Sequence, residues 1–233
     1  MNIQGLQKTT LLDYPGQVAC TVFLGGCNFR CPFCHNASVV GCRAGEGIPE
    51  EELFSYLEKR KGILDGVCVT GGEPTLYPEL ASFLRRIRAL GLKIKLDTNG
   101  SRPAVLRALI EEGLCDYVAM DIKNQKKKYA VTAGVSMLDL GAVEESVSLL
   151  LEGRVSYEFR TTVVANLHTV EDIAEIGRWI AGAERYALQQ FVDSGDLLGP
   201  GMYAHEPGVL AEMKKIAETF VKNAEIRGMD GMT

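Results

Sequence analysis

Val18-Ala19-Cys20-Thr21-Val22-Phe23-Leu24-Gly25-Gly26-Cys27-Asn28-Phe29-Arg30-Cys31-Pro32-Phe33-Cys34-His35-Asn36 is the stretch from which the rest of the chain can be read. Hydrophobic periodicity makes residues 18–24 a strand, and a loop with three cysteines in eight residues follows it directly. Thiolates are soft ligands that select iron–sulfur clusters or zinc, and short cysteine spacings let one loop wrap a cluster. Three cysteines leave a fourth coordination position unfilled. A structural zinc site wants four protein ligands, so zinc would have to recruit His35 or Cys42. His35 adjoins Cys34 and reaches the same metal poorly, and Cys42 lies beyond a flexible stretch. A ferredoxin also needs a fourth cysteine. Spacing therefore puts a cluster with an open iron ahead of zinc without excluding zinc.

Outward from this loop, strands and helices take turns. Strands are expected over 66–70, 93–97, 116–121, 157–164 and 186–192, and helices over 50–61, 79–90, 103–112, 139–152, 170–181 and 207–223. Pro49 suits a first helical turn, and Leu80, Phe83, Leu84 and Ile87 give one helix an apolar face. Thr169 with Asp172 resembles a capping box, and Asn99-Gly100-Ser101 makes a turn ahead of Pro103. Six strands separated by helices imply an α/β fold, a βα-repeat parallel sheet with right-handed crossovers. The sheet is either open and doubly wound or curled into part of a barrel. In both cases chemistry gathers at the carboxyl ends of the strands.

The 233 residues, 46% of them hydrophobic, suffice for one domain or one domain with a small appendage. A net charge of -5 argues against a nucleic-acid footprint or an anionic membrane partner, and the basic run at 126–128 is too short to reverse it. No stretch approaches the roughly 20 apolar residues of a membrane span, and residues 1–10 lack the order of a signal peptide, so the cytoplasm is expected. Seven cysteines, three of them crowded together, read in a reducing compartment as metal binding before disulfides. Cys20, Cys68 and Cys115 lie in or beside strands and read as small buried hydrophobes. His168, His205 and Trp179 take their default readings, as loop histidines and a helix-face aromatic.

Further motifs fall at strand ends. Thr70-Gly71-Gly72-Glu73-Pro74 follows the second predicted strand, and its glycines would let backbone approach a ligand closely. Asp97 and Asp121 close the third and fourth, where they cap turns or converge on a cation. Arg160 offers a forked donor to a carboxylate, or forms a strand-end salt bridge. Gln189 and Gln190 offer amides that a half-exposed strand explains equally well.

Cys-x3-Cys-x2-Cys with Phe33 before the last cysteine resembles the signature of the radical S-adenosylmethionine (radical SAM) superfamily, and Gly71-Gly72-Glu73 resembles its GGE motif. The resemblance implies a partial (β/α)6 barrel, one domain over 1–233 with a core at about 17–192 and a C-terminal extension over 193–233. It also implies a [4Fe–4S] cluster on Cys27, Cys31 and Cys34, with S-adenosylmethionine on the open iron. Phe33 and His35 would lie against the nucleoside, Gly71, Gly72 and Glu73 would take the methionine amino group, and Arg160 would be available to the carboxylate. The segments around Asp97-Thr98 and Asp121-Ile122-Lys123 resemble those of glycyl-radical-enzyme activases. There Asp97, Thr98 and Asp121 would help hold a monovalent cation, and Lys123 would contact S-adenosylmethionine.

Gly5-Leu6-Gln7-Lys8-Thr9-Thr10-Leu11-Leu12-Asp13-Tyr14-Pro15-Gly16 and Cys34-His35-Asn36 narrow the resemblance to activating proteins of anaerobic ribonucleoside-triphosphate reductase, with pyruvate formate-lyase activase a near relative. That implies one-electron cleavage of S-adenosylmethionine, a 5′-deoxyadenosyl radical, hydrogen abstraction from a glycine Cα of the partner enzyme, and a flavodoxin or ferredoxin type electron donor. Only Cys42 and Cys68 lie between Cys34 and Gly71, so no second cluster fits. The other readings are a radical SAM enzyme acting on a small molecule or peptide and, outside enzymes, an iron–sulfur or zinc binding module.

Overall fold

The computed structural model describes residues 1–41 and 47–228. Its centre is an eight-stranded sheet in sequential order: β1 (Ile3–Thr10), β2 (Ala19–Leu24), β3 (Gly66–Gly71), β4 (Lys93–Thr98), β5 (Tyr117–Asp121), β6 (Ser156–Val163), β7 (Tyr186–Gln190) and β8 (Ala224–Arg227). From β2 to β8 every pairing is parallel, and β1 runs antiparallel to β2. Helices occupy the crossovers: α1 (Ala37–Val40), α2 (Glu50–Lys59), α3 (Leu80–Ala89), α4 (Pro103–Glu111), α5 (Tyr129–Ala133), α6 (Leu140–Leu151), α7 (Val170–Trp179) and α8 (Pro207–Ala217). Among the described residues no helix is long and apolar enough to cross a membrane.

The period of two along each strand separates two chemistries. Ile94 and Leu96 on β4, Val118 and Met120 on β5, and Phe159 on β6 are buried with the apolar faces of the helices, including Leu80, Phe83, Leu84 and Ile87 of α3. The alternate positions, Lys95 and Asp97, Asp121, and Glu158 and Arg160, point to the other face and carry charge. One cavity of about 510 Å³ is lined from Asp13, beyond β1, to Gly228, beyond β8. A flat sheet of eight strands would be roughly 34 Å across, far wider than such a cavity, so the sheet curls around it. β1 and β8 do not pair with each other, and the barrel stays incomplete.

The six expected strands are β2 to β7, and the capping box on Thr169 and Asp172 is formed. Two strands are additional. β1 was expected only as a chain segment ahead of the first strand; it is an edge strand with two register irregularities and an exposed middle, which leaves little alternation to read. The expected helix over 207–223 ends at Ala217, and the chain turns through 218–223 to return as the short strand β8. Pro49 stands one residue before α2, at its N-cap.

Candidate functional site

The cysteine loop leaves β2 through Gly25 and Gly26 and is fastened by backbone on several sides. The Gly72 N–H donates to the Leu24 carbonyl at 2.7 Å, the Glu73 N–H to Gly26 at 2.9 Å, and the Arg30 N–H to Ala133 of α5 at 2.8 Å. Gly71 adopts φ +116°, and a Cβ there would overlap the Leu24 backbone; one on Gly72 would overlap the Gly26 carbonyl. The glycine pair was read as clearance for a ligand. Its observed service is to let the β3 turn press against the root of the cysteine loop.

Glu73 likewise has partners within the chain. It is fully buried and absent from the cavity wall. Oε1 accepts the Thr75 N–H at 3.0 Å, the Thr75 hydroxyl and the Thr98 hydroxyl at 2.8 Å, while Oε2 accepts the Asn99 N–H at 2.6 Å. Burial pushes its carboxyl up and these donors oppose that push. Glu73 thus binds the turn after β3 to the end of β4, accepting the hydrogen bond of the Thr98 hydroxyl.

Cys27, Cys31 and Cys34 are free thiols on one wall of the cavity. Cys27 Sγ accepts the Phe29 N–H at 3.3 Å and faces the Asn99 amide at 3.9 Å. Burial pushes the Cys31 thiol up to about 11, with the Lys123 charge opposing it. Among the described residues no three His, Cys, Asp or Glu side chains gather closely enough for a single metal ion. Zinc would need a fourth ligand such as Cys42, which lies outside the described residues. Three free thiols on a roomy wall suit a cluster that spans them. The cavity volume falls in the roughly 300–1,000 Å³ range of small-molecule sites.

Phe33, His35, Asp97, Thr98, Asp121, Lys123 and Arg160 all line the same cavity, as do Gly71 and Gly72. Phe33 meets His168 edge-on at 6.3 Å, and His35 meets Phe191 edge-on at 5.6 Å. Arg160 is the strand-end ion pair: Nη1 donates to Asp97 Oδ2 at 3.1 Å and Nε to Asp121 Oδ1 at 2.9 Å. Lys95 also holds Asp97, and Lys123 holds Asp121 at 3.0 Å. Burial pushes Asp121 up, but Arg160 and Lys123 outweigh it and bring it down to about 2. The two carboxylates converge on one guanidinium, which stands between them. Cys68 lies beneath, 3.7 Å from Asp97 Oδ1, so it is a polar floor residue as well as a buried one.

Of three residues left aside by sequence reasoning, Asn99 and Gln190 line the site and His168 supports it from behind. Asn99 joins the cysteine loop through Asn28 Oδ1 at 2.9 Å. His168 is buried; Nδ1 accepts the Val164 N–H at 3.1 Å, so Nε2 carries the proton and donates to the Lys123 carbonyl at 2.8 Å. Gln190 donates Nε2 to the His205 carbonyl at 2.9 Å. That carbonyl only accepts, which fixes the amide and leaves Oε1, on a cavity-lining residue, as a buried acceptor without a partner among the described residues. A run of two glutamines at a strand end carried too little pattern to separate this role from an exposed strand.

Residues 21–180 match the model of the radical SAM superfamily. A chain of Methanocaldococcus jannaschii named as a glycyl-radical enzyme activating enzyme is 31% identical over 98% of this chain and 97% of its own length. The pyruvate formate-lyase-activating enzyme of Clostridium pasteurianum is 32% identical over 52% of each chain. Among solved structures, Streptococcus suis SuiB bound to S-adenosylmethionine superposes with a TM-score of 0.68 over 90% of this chain and 52% of that one, at 14% identity, a likeness of fold. With three free thiols on one wall of a strand-end cavity, these matches establish that the chain belongs to the radical SAM superfamily, among its glycyl-radical enzyme activating enzymes.

Proposed function

We propose that this chain installs a glycyl radical on an anaerobic ribonucleoside-triphosphate reductase. The observation that carries the reading is the shared cavity, in which Cys27, Cys31 and Cys34 face the carboxyl ends of β3 to β7. When bound, the cluster and S-adenosylmethionine supply the reductive one-electron cleavage that yields a 5′-deoxyadenosyl radical. The chain's residues bind, orient and exclude water. The three thiolates hold three irons, and Lys123 keeps positive potential beside them. Phe33 and His35 bracket the nucleoside, and Gln190 offers its free acceptor to a ligand donor. Arg160 supplies the positive charge between Asp97 and Asp121 that a monovalent cation would otherwise bring. Glu73, Gly71 and Gly72 act by position, holding the loop to the strand ends. The whole of 1–233 serves as one radical SAM unit in the cytoplasm, with 193–233 as its C-terminal extension and a flavodoxin or ferredoxin type carrier as donor.

The reductase is favoured by the N-terminal run 5–16, while the relative aligned over nearly its full length supports a glycyl-radical enzyme as partner without naming which. A second reading, activation of pyruvate formate-lyase, draws on the 32% identity to the clostridial activase over 127 residues. Anaerobic reconstitution with iron and sulfide, then dithionite and S-adenosylmethionine, should release 5′-deoxyadenosine, and EPR after mixing with the reductase should show a glycyl radical. A radical on pyruvate formate-lyase alone would move the assignment to the second reading. Release of 5′-deoxyadenosine with a radical on neither would leave a small-molecule or peptide substrate.

A further inference from the structure

The cavity mouth serves S-adenosylmethionine and the partner's glycine loop, so electrons are better delivered from another side. The wall behind the cluster loop provides one. The Ala133 carbonyl, last in α5, accepts the Arg30 N–H at 2.8 Å and lies 3.8 Å from Cys31 Sγ. A Cβ on Gly134 would overlap the Arg30 carbonyl, so backbone meets backbone here. α5 is pinned from within: the Tyr129 hydroxyl donates to the Asp121 carbonyl at 3.3 Å, and Thr132 Oγ1 accepts from Asn124 at 2.9 Å. Two residues from that carbonyl, Val131 is 76% exposed, and Met137 beyond it is 91% exposed. One short helix therefore separates solvent from a cluster thiol.

The charge on this wall runs against that of the chain, which is -5 overall. The Arg30 guanidinium is exposed and turned onto loop carbonyls, Phe29 at 2.8 Å among them, with no carboxylate partner among the described residues. Lys127 is exposed, and its ammonium has no partner among the described residues either. Lys126 pairs with Glu144 and Lys128 with Asp172, which neutralises both acids. Asp139, the remaining carboxylate of the segment, caps α6 through the Ala142 N–H at 3.2 Å. Two exposed apolar side chains and two cations without a carboxylate partner among the described residues, Arg30 and Lys127, form a docking patch for an acidic protein, because such charges steer encounter while apolar contact holds the complex.

Resting on the function proposed above, we infer that the face of α5 around Lys127, Val131 and Met137 docks an acidic one-electron carrier protein, which reduces the cluster through the Ala133–Cys31 contact. The test uses the reconstituted full chain, with flavodoxin hydroquinone or dithionite as reductant, and compares Lys127→Glu, Met137→Ser and, on α8, Lys215→Glu. Lys127→Glu should weaken flavodoxin binding, read by calorimetric titration, and lower flavodoxin-driven 5′-deoxyadenosine formation, each by about five-fold or more at low salt. Met137→Ser should do the same with less dependence on salt. Dithionite-driven turnover should stay within about two-fold in both, and Lys215→Glu should change neither readout. Unchanged flavodoxin binding in Lys127→Glu and Met137→Ser would overturn the docking face even if turnover fell. An equal fall under both reductants would overturn it too, as would a loss confined to glycyl-radical yield under dithionite, which would give the face to the glycyl-radical enzyme. Absence of dithionite-driven 5′-deoxyadenosine in the unsubstituted chain would instead refute the function on which the inference rests, while the binding comparison still reads the patch itself.

Discussion

At residue 72 a single methyl group separates a formed site from a displaced one. Its carbon would overlap the Gly26 carbonyl, and neither backbone can move without dragging a strand end. Gly72→Ala should therefore cost about 1–3 kcal/mol, the usual penalty of overpacking, and lower the melting temperature of the iron-free chain. Gly208→Ala on α8, where a Cβ meets open space, is the control and should be neutral or slightly stabilising. Equal melting of the two variants would contradict the close approach. Cys31→Ala tests the ligand set: iron bound after reconstitution should be lost while the far-UV circular dichroism stays native. Wild-type iron content would remove Cys31 from the set.

Among the elements, β6 and β8 are joined across β7 by an ion pair on the inner face of the sheet. Arg227 forks onto Glu158, with Nη1 at 2.9 Å and Nη2 at 2.6 Å, and the Tyr117 hydroxyl adds a third donor at 3.1 Å. Burial pushes the Glu158 carboxyl up, but the Arg227 hydrogen bonds and the charges of Arg160 and Arg227 bring it below its ordinary 4.5. A depressed carboxyl contributes stability above its unfolded value and loses it as pH falls through the folded one. Glu158→Gln should thus lower stability at pH 7 by about 2 kcal/mol and flatten the fall in stability below pH 4.5. The figure lies under the roughly 3–5 kcal/mol of a wholly buried pair because Arg227 keeps solvent contact. Thermal melts at pH 7 and pH 4 in both chains check it; parallel pH profiles would remove Glu158 from the linkage. The same elements mark what pattern could convey. β2 to β7 are long and apolar enough to announce themselves, whereas β8 has four residues and α5 five, too short for any period.

Over the whole molecule, the strand ends converge where the sequence placed them. Cys27, Cys31 and Cys34 could be located because their loop follows β2, and Asp97 and Asp121 because they stand at the ends of β4 and β5, whereas Lys123 came from the resemblance. What spacing could not convey was which partners these groups would already have. Pattern does not show that Glu73 accepts from Thr75, Thr98 and Asn99, nor that Arg160 lies on both aspartates. Those partners come from other strands, and only the curl of the sheet brings them together. Because the root of the cysteine loop is held by backbone hydrogen bonds involving Gly72, Glu73 and Ala133, chelating the iron should leave secondary structure intact and shift the melting temperature by only a few degrees. Zinc fingers behave in the opposite way and unfold without their metal. Circular dichroism before and after chelation checks this, and an unfolded apo-chain would refute it.

The fastening of that loop also bears on the protein's life in a cell that meets air. A cluster with an open iron is easily stripped by oxygen, and a protein that folded around its metal would then be lost to proteases. On the expectation that the chelated chain keeps its fold, it stays a finished mould, and oxygen damage then becomes a matter of refilling with iron and sulfide without new synthesis.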